Sequence, residues 1–516
     1  MCEIKRTIKY KNWIITFLVL AALIISCRIT GFSMTVLTKR GNRFTEFVLK
    51  MFPADLAYGG KVMQPLISTI QMSVAGTLIG AGIALLTSFL SAGNVCESRA
   101  LRLLIKLVVQ AVRTIPVLII ALIATFAFGI GTFAGTFALA LYTWAILTRI
   151  GSEDIETLSM GAFEALTVTG CGKVKAFIRT LFVDMLPGYL TNALYLLETN
   201  VRHASILGYV GAGGIGLLLN EKIAWREYEK VGTILIALFF AVIIVEGFSW
   251  LFARILEGNV KKNWLRTAGK RALWILLGVV SIWSVCSIER PDSSALGMKV
   301  VRSIMDGIVH PDWNYFFSNG KDGVTWLLLE TVCIAVAGTL LGAVIAAVLS
   351  FLGSKRFMPW PVAGFFRVIV MAIRTVPVLI YGIMFLRVTG PGSFAGVLTL
   401  AVTSIGLIAK RFTVSIDRMD MSAWNAYSAM GVNVIGRIKY CLIPELFPQF
   451  ASAVFYRFDV NIRGASILGL VGAGGIGAPL ITYMNQYRWD AVGAILLGLF
   501  ALVLVIELVS AWVRRA

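Results

Sequence analysis

The stretch RHASILGYVGAGGIG at residues 202–216 returns almost unchanged as RGASILGLVGAGGIG at residues 463–477. Each copy contains G-x-G-x-x-G, the spacing that cradles a pyrophosphate when it lies between a β-strand and a helix. Here the glycines follow a long apolar stretch that favours a helix, so the strand is missing. We therefore interpret them as a site of close helix packing or as a flexible break that lines a cavity, and not as a nucleotide site.

These two stretches belong to a longer internal duplication. VRTIPVLI at 112–119 matches IRTVPVLI at 373–380 with the same offset of 261 residues. AGTLIGAGIA at 75–84 matches AGTLLGAVIA at 337–346 with an offset of 262 residues. Several matches in the same order indicate that one unit has been copied within the chain.

The composition is that of a membrane protein. Of the 516 residues, 58% are hydrophobic and only 14% are charged, and the mean hydropathy is +0.83. A membrane-spanning helix needs roughly 20 apolar residues, and long apolar stretches recur along the chain. We predict an all-α polytopic membrane protein with about twelve transmembrane helices, at 13–27, 64–90, 104–128, 133–148, 185–208, 231–252, 272–288, 324–352, 368–386, 394–409, 446–469 and 490–512.

The duplication divides these helices into two tandem repeats of six. We place the repeats at 1–258 and 259–516, with cores at about 64–256 and 323–513. Six crossings bring the chain back to the side on which it started, so both repeats have the same orientation. We expect an axis along the membrane normal to relate them, with a pathway between them.

Charge sets the expected topology. Lys and Arg number 47 and Asp and Glu 27, which gives a net charge of +20. In a membrane chain this excess fits the positive-inside bias better than it fits a nucleic-acid partner. We predict that both termini are cytoplasmic, although the basic segment 28–63 then lies outside. The cytoplasmic loops are then 91–106, 149–183, 254–271, 353–367 and 410–445.

No grouping typical of an enzyme is visible. The P-loop pattern is absent, and GCGKVK at 170–175 lacks the Ser or Thr that should follow Lys173. Seven scattered cysteines and two histidines predict neither a disulfide framework nor a metal site. We therefore expect no enzymatic activity, no metal and no cofactor on this chain.

One cytoplasmic loop in each half has an unusual pattern. EALTVTGCGKVKAFIRTLFVDMLP at 164–187 pairs with NAYSAMGVNVIGRIKYCLIPELFP at 425–448. Each predicts a short helix, a glycine turn and a second, basic helix. Such a projection can dock in a cleft of a partner and transmit rigid-body motion, whereas the plainer interpretation is an amphipathic connector.

These loops resemble the coupling loop of binding-protein-dependent ABC importer permeases, which carries EAA-x-x-x-G and then an Ile/Leu-Pro element. The first half departs from it at Val183, where the family has proline, and the second at Asn425, where it has glutamate. Whether the two loops contact their ATPase subunits equally therefore stays open. The matching residues are Glu164, Ala165, Gly170, Ala426, Gly431 and Pro444.

Four ordered motifs, each present twice, closely resemble the phosphonate ABC transporter permease: RT[IV]PVLI, FAG-x-x-x-L, N[VI]R-x-ASILG and VGAGGIG. The resemblance covers nearly the whole chain except 28–63 and 289–322. It implies a type I importer (MetI-like) fold in two fused copies, in a prokaryotic cell membrane. It also implies two cytoplasmic ATPase subunits that carry ATP-Mg, and an extracytoplasmic solute-binding protein. The implied activity is import of phosphonate, or of phosphite, hypophosphite or a phosphate ester, by alternating access.

Ionisable residues within the apolar stretches are the candidates for a pathway or gate. Arg113 and Arg374 lie beside Pro116 and Pro377, which we expect to bend their helices. The repeated glycines and two acid–base pairs are further candidates. In each pair the acid and the base are four residues apart, a spacing that allows an ion pair on one helix face. The glycines are Gly211, Gly213, Gly214, Gly472, Gly474 and Gly475, and the pairs are Glu198–Arg202 and Asp459–Arg463.

Two interpretations of these charges stay open. The arginines attract or pass an oxyanion, because a guanidinium matches its oxygens, or the pairs are internal salt bridges that stabilise a gate. The alternative function is an ion-coupled secondary transporter of a small anion that works without an ATPase. In that case Glu198 and Asp459 are the coupling carboxylates.

Overall fold

The computed structural model describes residues 17–256, 275, 277–289, 295–318 and 320–515. In these ranges the chain is built from α-helices joined by loops and by short 3₁₀ or π turns, and no strand occurs. The chain separates into two compact units. One is Leu49–Ser303, and the other combines Met1–Val48 with Ile304–Ala516.

The helices follow one another with few long loops. Those of the first half, in chain order, are α1 Phe17–Ile29, α2 Met34–Arg40, α3 Asn42–Met51, α4 Gly59–Ser91, α5 Arg99–Thr114, α6 Val117–Phe128, α7 Thr132–Thr157, α8 Gly161–Val168, α9 Lys173–Arg179, α10 Leu181–Leu207, α11 Ile215–Ala224 and α12 Tyr228–Leu256. Those that follow are α13 Leu277–Cys286, α14 Ala295–Val309, α15 Trp313–Phe316, α16 Val324–Leu352, α17 Trp360–Thr375, α18 Val378–Thr389, α19 Ser393–Arg418, α20 Ser422–Ala429, α21 Val434–Arg437, α22 Ile443–Leu468, α23 Gly477–Asn485 and α24 Trp489–Arg515.

The all-helical membrane architecture is confirmed. Six helices of the described chain (α4, α7, α12, α16, α19 and α24) are each long and apolar enough to cross a membrane, and three bent helix pairs bring the number of spans to as many as nine. The more polar helices α10 and α22, which carry the predicted charge pairs, fall outside that set. Of the predicted segment 272–288, part lies outside the described residues.

The two segments predicted at 104–128 and 368–386 do change direction at their prolines, but each is broken into two helices there instead of being one bent helix. α5 and α6 meet at 92°, and α17 and α18 at 87°. Pro116 and Pro377 end the preceding helix rather than bending it, because proline lacks an N–H and forces the residue before it into extended backbone. Ile115 accordingly has φ −78° and ψ 123°.

In the first repeat, α4 and α7 approach each other closely at two glycines of the AGTLIGAGIA stretch. A Cβ atom added at Gly76 would lie 2.7 Å from the Leu139 Cβ, and one at Gly80 would lie 2.4 Å from the Ala140 carbonyl oxygen. These glycines are four positions apart in the sequence, so both lie on one face of α4. Small residues at this spacing let two helix backbones come together where lipid supplies no hydrophobic drive.

The second repeat has the same contact between α16 and α19. A Cβ atom at Gly338 would lie 2.6 Å from the Leu400 Cβ, and one at Gly342 would lie 2.6 Å from the Ala401 carbonyl oxygen. The duplicated sequence therefore builds the same helix pair twice.

Each compact unit contains the core of one predicted repeat and the leading segment of the other. Phe32 packs edge-on against Phe394, and Phe44 stacks on Phe385, with ring centroids 5.0 Å apart in both pairs. The segment α1–α3 therefore contributes to the core of the unit that holds α16–α24.

The other unit receives a segment in the same way. Gln71 Nε2 donates to Ser287 Oγ at 2.9 Å, and the backbone N–H of Thr132 donates to Glu289 Oε2 at 3.1 Å. The segment around α13 therefore packs on α4 and on the start of α7.

We expect Gly80→Ala to lower the free energy of unfolding by about 1–3 kcal/mol, because the added methyl group meets the α7 backbone. Gly82→Ala is the matched control: it lies on the same helix, nothing lies within 4 Å of its Cβ position, and alanine is the better helix former. Thermal unfolding in detergent, followed by tryptophan fluorescence, measures both. Equal midpoints for the two variants would contradict this account of the α4–α7 contact.

Candidate functional site

The repeated glycine loop closes one end of the α4–α7 pair. After a 3₁₀ turn at Gly208–Val210, Gly211, Gly213 and Gly214 have φ of +84°, +75° and +72°, which only glycine adopts readily. The N–H of Gly131 donates to the Gly211 carbonyl oxygen at 3.1 Å. These glycines are therefore held against the start of α7.

The hydroxyl of Thr69 fixes the other side of this loop. The backbone N–H of Ile215 donates to Thr69 Oγ1 at 2.8 Å, and a Cβ atom at Gly214 would lie 2.7 Å from the same oxygen. The loop is thus packed against α4 as well, and the close-packing interpretation accounts for its sequence.

The second loop repeats these contacts. Gly472, Gly474 and Gly475 have φ of +81°, +80° and +72°. The N–H of Gly392 donates to the Gly472 carbonyl oxygen at 3.0 Å, and the N–H of Ile476 donates to Thr331 Oγ1, also at 3.0 Å.

A buried asparagine links three helices in each repeat. Asn200 on α10 is fully buried, and its Nδ2 donates to Thr77 Oγ1 on α4 at 2.8 Å and to Thr143 Oγ1 on α7 at 2.7 Å. Buried polar side chains need such partners, since an unmade hydrogen bond in the interior costs free energy.

The equivalent residue of the second repeat is Asn461. Its Nδ2 donates to Thr339 Oγ1 at 2.7 Å and to Ser404 Oγ at 2.8 Å. Neither asparagine was predicted from the sequence as a functional residue. The available signal was that Asn200 and Asn461 occupy the same place in the duplicated N[VI]R-x-ASILG motif.

Both predicted intrahelical ion pairs are formed. Arg202 Nη1 donates to Glu198 Oε1 at 2.7 Å, and the two side chains are 16% and 6% exposed. Arg463 Nη2 donates to Asp459 Oδ2 at 2.8 Å. The pairs lie on the helices that carry the buried asparagines, and each arginine is nine residues before the first glycine of its loop, Gly211 or Gly472.

Arg113 and Arg374 occupy the last turns of α5 and α17, not the interior of an apolar helix. A cation is favourable there because the helix dipole places partial negative charge at a carboxyl end. Arg113 also has a neutral partner on its own helix, since its Nη1 donates to Gln110 Oε1 at 2.8 Å.

A second set of ion pairs, not predicted from the sequence, ties α5 to α7 and α17 to α19. Lys106 Nζ lies 3.3 Å from Glu156 Oε1, and at the equivalent place Arg367 Nη2 lies 2.6 Å from Asp417 Oδ2. Glu156 also accepts from the backbone N–H of Gly93 at 2.8 Å. The pairs therefore hold the α4–α5 and α16–α17 connections to the ends of α7 and α19 that lead into α8 and α20.

Arg457 marks a difference between the repeats. It is buried on α22, where Nε donates to Ser404 Oγ and Nη2 to Thr403 Oγ1, both at 3.2 Å. The position 261 residues earlier is Leu196, a buried apolar residue. The second repeat therefore places an extra cation beside the hydroxyl that Asn461 also contacts.

The first paired loop is a helix–turn–helix projection, as predicted. Gly170 has φ +82°, and the N–H of Cys171 donates to the Leu166 carbonyl oxygen at 3.1 Å, which closes α8. Glu164 and Ala165 are exposed. Phe163 and Phe177 are buried beneath the projection. The exposed outer face of the projection therefore rests on a packed apolar base.

The second loop repeats this turn. Gly431 has φ +73°, and the N–H of Val432 donates to the Tyr427 carbonyl oxygen at 3.1 Å. Asn425 and Ala426 are exposed. Both projections also expose a large apolar side chain beside the glycine: Val168 is 87% exposed and Met430 67% exposed.

The two projections differ in how the chain continues after the second helix of each. In the second repeat a π turn at Ile438–Leu442 leads directly into α22, next to the exposed Pro444. Proline has no N–H to continue a regular helix, which favours such local rewinding. In the first repeat, where Val183 replaces proline, the chain breaks sharply at Thr180 instead, with φ −121° and ψ −88°.

The first projection is also tied to the α4–α5 connection. Lys173 Nζ contacts the Glu97 carboxylate, and this hydrogen bond and charge attraction lower the pKa of Glu97 below its ordinary value. Within the described residues, no group of three or more His, Cys, Asp or Glu side chains is placed to hold a metal ion.

The fold and its paired projections define a multi-pass membrane permease made from two copies of one helical unit. The chain belongs to the family described as the binding-protein-dependent transport system inner membrane component, whose model matches residues 84–262 and 338–516. Both repeats are therefore members of that family.

The curated relatives include permeases about as long as the whole chain and permeases about as long as one repeat. The phosphate-import permease protein PhnE of Mycolicibacterium smegmatis is 28% identical over 502 residues, which cover 96% of this chain and 92% of the relative. The phosphite transport system permease protein PtxC of Stutzerimonas stutzeri is 30% identical over 258 residues, which cover 49% of this chain and 90% of the relative. PtxC therefore has about the length of one repeat of this chain.

Among solved structures, a chain of the MetNI methionine ABC transporter in an inward-facing conformation is 24% identical to this chain. The match covers 37% of this chain and 95% of the solved chain, with a TM-score of 0.34.

The Asn200 contacts predict energetic coupling between α10 and α7. In a double-mutant cycle, Asn200→Ala and Thr143→Ala should be non-additive by about 1 kcal/mol in the free energy of unfolding, because they share a buried hydrogen bond. The same cycle of Asn200→Ala with Thr191→Ala should be additive, since the Thr191 hydroxyl donates only to the backbone of its own helix. Denaturant titration in detergent supplies the four free energies for each cycle. Additivity in both cycles would refute the predicted coupling.

Proposed function

We propose that the chain is the transmembrane permease of an ATP-driven importer that moves phosphonate or a related phosphorus oxyanion into the cytoplasm by alternating access. The observation that carries this proposal is the agreement of two relatives. One matches nearly the whole chain and is named for phosphate import, and the other matches one repeat and is named for phosphite. Both names describe small oxyanions of phosphorus.

The paired projections are the proposed docking sites for two cytoplasmic ATPase subunits. Each presents a glycine turn on a packed base, with Val168 or Met430 exposed at its tip. An apolar side chain that is exposed at the end of a rigid projection is suited to a pocket on a partner. ATP-Mg then binds to the ATPase subunits, and the permease itself has no enzymatic role and binds no cofactor.

The third component is an extracytoplasmic solute-binding protein, as the family description implies. With both termini in the cytoplasm of a prokaryotic cell, the two projections face the ATPase subunits and the glycine loops lie at the outer ends of α4 and α16. In this arrangement the glycine loops and the Glu198–Arg202 and Asp459–Arg463 pairs belong to the outer gate.

Ion-coupled secondary transport is not favoured. A coupling carboxylate has to release and rebind its proton or ion in every cycle. Glu198 instead accepts a charge-assisted hydrogen bond from Arg202, and Asp459 accepts one from Arg463. Membership of a binding-protein-dependent family points in the same direction.

The substrate is tested by ATP hydrolysis. The full chain is reconstituted in lipid nanodiscs with a candidate ATPase subunit and a candidate solute-binding protein from the same genome, and hydrolysis is measured with methylphosphonate, phosphite, phosphate or no ligand. We expect stimulation only when the binding protein carries a phosphorus oxyanion, and the best ligand identifies the cargo.

Other outcomes of this experiment have definite meanings. Stimulation by an unrelated ligand, such as an amino acid, would retain the importer and refute the substrate class. Failure of any ATPase to co-purify with the folded chain would refute the docking assignment of the two loops.

The docking surface predicts the effect of two exposed substitutions. Val168→Asp combined with Met430→Asp places a charge at each proposed contact, where burial against a partner would be costly. We expect the ATPase to be lost on purification and uptake to fall by about tenfold or more, since loss of about 1.4 kcal/mol at a contact already weakens binding tenfold. Both side chains are exposed, so the thermal midpoint of the isolated permease should not change.

Thr169→Ser is the matched control for this experiment. It lies next to Val168, and serine keeps the hydroxyl that donates to the Leu166 carbonyl oxygen at 2.8 Å. Retained ATPase and uptake are expected for the control. Wild-type uptake by the double aspartate variant would show that the ATPase docks elsewhere.

A further inference from the structure

The first and second projections differ in the side chains that they expose. They are residues 161–180 and 422–442, and the offset of 261 residues that aligns Gly170 with Gly431 gives each position of one a counterpart in the other. Both are built from a helix, a glycine turn and a second helix. A difference between their surfaces is therefore a property of the side chains and not of the helix–turn–helix arrangement.

The second helix of the first projection, α9, is basic on its surface. Its exposed cations are Lys173, Lys175 and Arg179. Lys173 contacts the carboxylate of Glu97 on the α4–α5 connection. Lys175 and Arg179 are four positions apart, so they lie on one face of α9. We call this pair the basic face.

The second projection has lost these charges. Each basic position of α9 has an uncharged counterpart there: Val434 for Lys173, Gly436 for Lys175 and Tyr440 for Arg179. One exposed cation remains on the second projection, Lys439, and its counterpart on the first is Ile178.

The exposed apolar surface is larger on the second projection. Its large exposed side chains are Met430, Val434, Ile435, Ile438 and Tyr440, against Val168, Val174 and Ile178 on the first. Val434 and Ile435 follow within four residues of the Gly431 turn, and Ile435 is 75% exposed. Neighbouring exposed apolar side chains are typical of a surface that a partner covers. We call Met430, Val434 and Ile435 the apolar tip.

The bases of the two projections differ in the opposite sense. In the second, Arg437 is half-buried, with its guanidinium carbon 5.0 Å from the centroid of the Trp424 ring, and its Nη1 donates to Ser428 Oγ at 2.9 Å. A cation over an indole ring is attracted by the negative face of the ring. The counterparts of Arg437 and Trp424 are Ala176 and Phe163, both buried. The second projection thus turns a cation inward, whereas the first places its cations on the surface.

The two kinds of surface respond differently to salt. Exposed cations attract an acidic partner over about 10 Å at 0.1 M salt, but only over about 3 Å at 1 M. Burial of apolar side chains does not depend on charge and survives this screening. Charges at the rim of an interface mainly set the rate of association and its salt dependence.

We propose that the two projections dock on the ATPase subunits by different chemistry. The apolar tip of the second projection fits an apolar pocket and supplies most of the affinity. The basic face of the first is a salt-sensitive contact with an acidic surface. The inference rests on the proposed function, because it takes the ATPase subunits as the partners of both projections.

The contrast between the projections favours a protein over a lipid surface as the partner. Both repeats have the same predicted orientation, so a lipid surface would meet both projections at the same depth. A helix that lies in lipid headgroups combines basic and apolar side chains, and a lipid surface would select that combination in both copies. A docking cleft with an apolar floor and an acidic rim serves both projections, since interfaces commonly have an apolar core and a polar rim.

The test measures binding of a candidate ATPase subunit from the same genome to the full chain in nanodiscs of phosphatidylcholine. Biolayer interferometry gives the affinity at about 0.1 M and about 1 M NaCl, where the screening lengths differ about threefold. Lys175→Gln combined with Arg179→Gln removes the charges of the basic face. We expect this variant to bind equally at both salt concentrations, and to bind as tightly as the wild-type chain at high salt.

Val434→Ser combined with Ile435→Ser tests the apolar tip. We expect the affinity to fall about tenfold or more at both salt concentrations, because apolar area that the partner would bury is lost. Val174→Ser is the matched control, since Val174 is the exposed counterpart of Ile435. The control should lose less than about threefold in affinity, since its contact is the minor one.

The substituted side chains are all exposed, so the thermal midpoint of each variant should equal that of the wild-type chain. Ile435→Ser alone replaces the double serine variant if the latter does not fold. Equal losses for Val174→Ser and Ile435→Ser would overturn the proposal. It would also be overturned by a salt dependence that persists in the folded double glutamine variant.

Anionic lipid can compete for exposed cations, so the salt series is repeated in nanodiscs that contain phosphatidylglycerol. An unchanged effect of the two glutamines supports the ATPase as the partner of the basic face. An effect that appears only with phosphatidylglycerol would assign the basic face to lipid and overturn the proposal.

Uptake by the complete transporter separates this proposal from the proposed function. If the projections bind the ATPase in the expected unequal way but no phosphorus oxyanion is imported, the substrate assignment fails and the unequal docking stands. If the wild-type transporter imports the anion and binding depends equally on both projections, the function stands and the unequal docking fails.

Discussion

The close approach of α4 to α7, and of α16 to α19, is the constraint on which the rest of each repeat depends. The glycines on α4 and α16 leave no room for a Cβ atom between the two backbones. Once these helices touch, Thr77 and Thr143 come close enough for Asn200 to bond to both, which places α10 against the pair. The glycine loop that follows α10 then packs against the starts of α4 and α7.

Much of this architecture was predictable because a membrane-spanning helix has a strong sequence signature and because each motif occurs twice. The glycine turns at Gly170 and Gly431 and the i, i+4 pair Glu198–Arg202 depend only on local geometry, so the sequence predicted them. Contacts between distant segments were not predictable in this way. The Lys106–Glu156 pair joins residues 50 positions apart, and hydropathy alone did not separate the amphipathic α5 from the apolar α6.

The two repeats share the contacts that hold their helices together and differ at residues around those contacts. The glycine contacts, the asparagine bridges and the ion pairs next to the projections occur in both copies. Arg457 is present only in the second copy, where its counterpart is Leu196. The exit from the projection also differs, with a π turn before α22 and a break at Thr180 before α10. Two fused repeats can diverge in this way because both are encoded in one chain.

The placement of α1–α3 in the same compact unit as Ile304–Ala516 has a consequence for biosynthesis. Ribosomes add about 5–20 residues per second, so the 256 positions from Val48 to Ile304 take roughly 10–50 s to translate. During that interval Phe32 and Phe44 lack the aromatic partners they have in the finished protein, since Phe385 and Phe394 do not yet exist. This early-synthesised segment is thus among the last to reach its final packing, and it depends on lipid or on the insertion machinery until then.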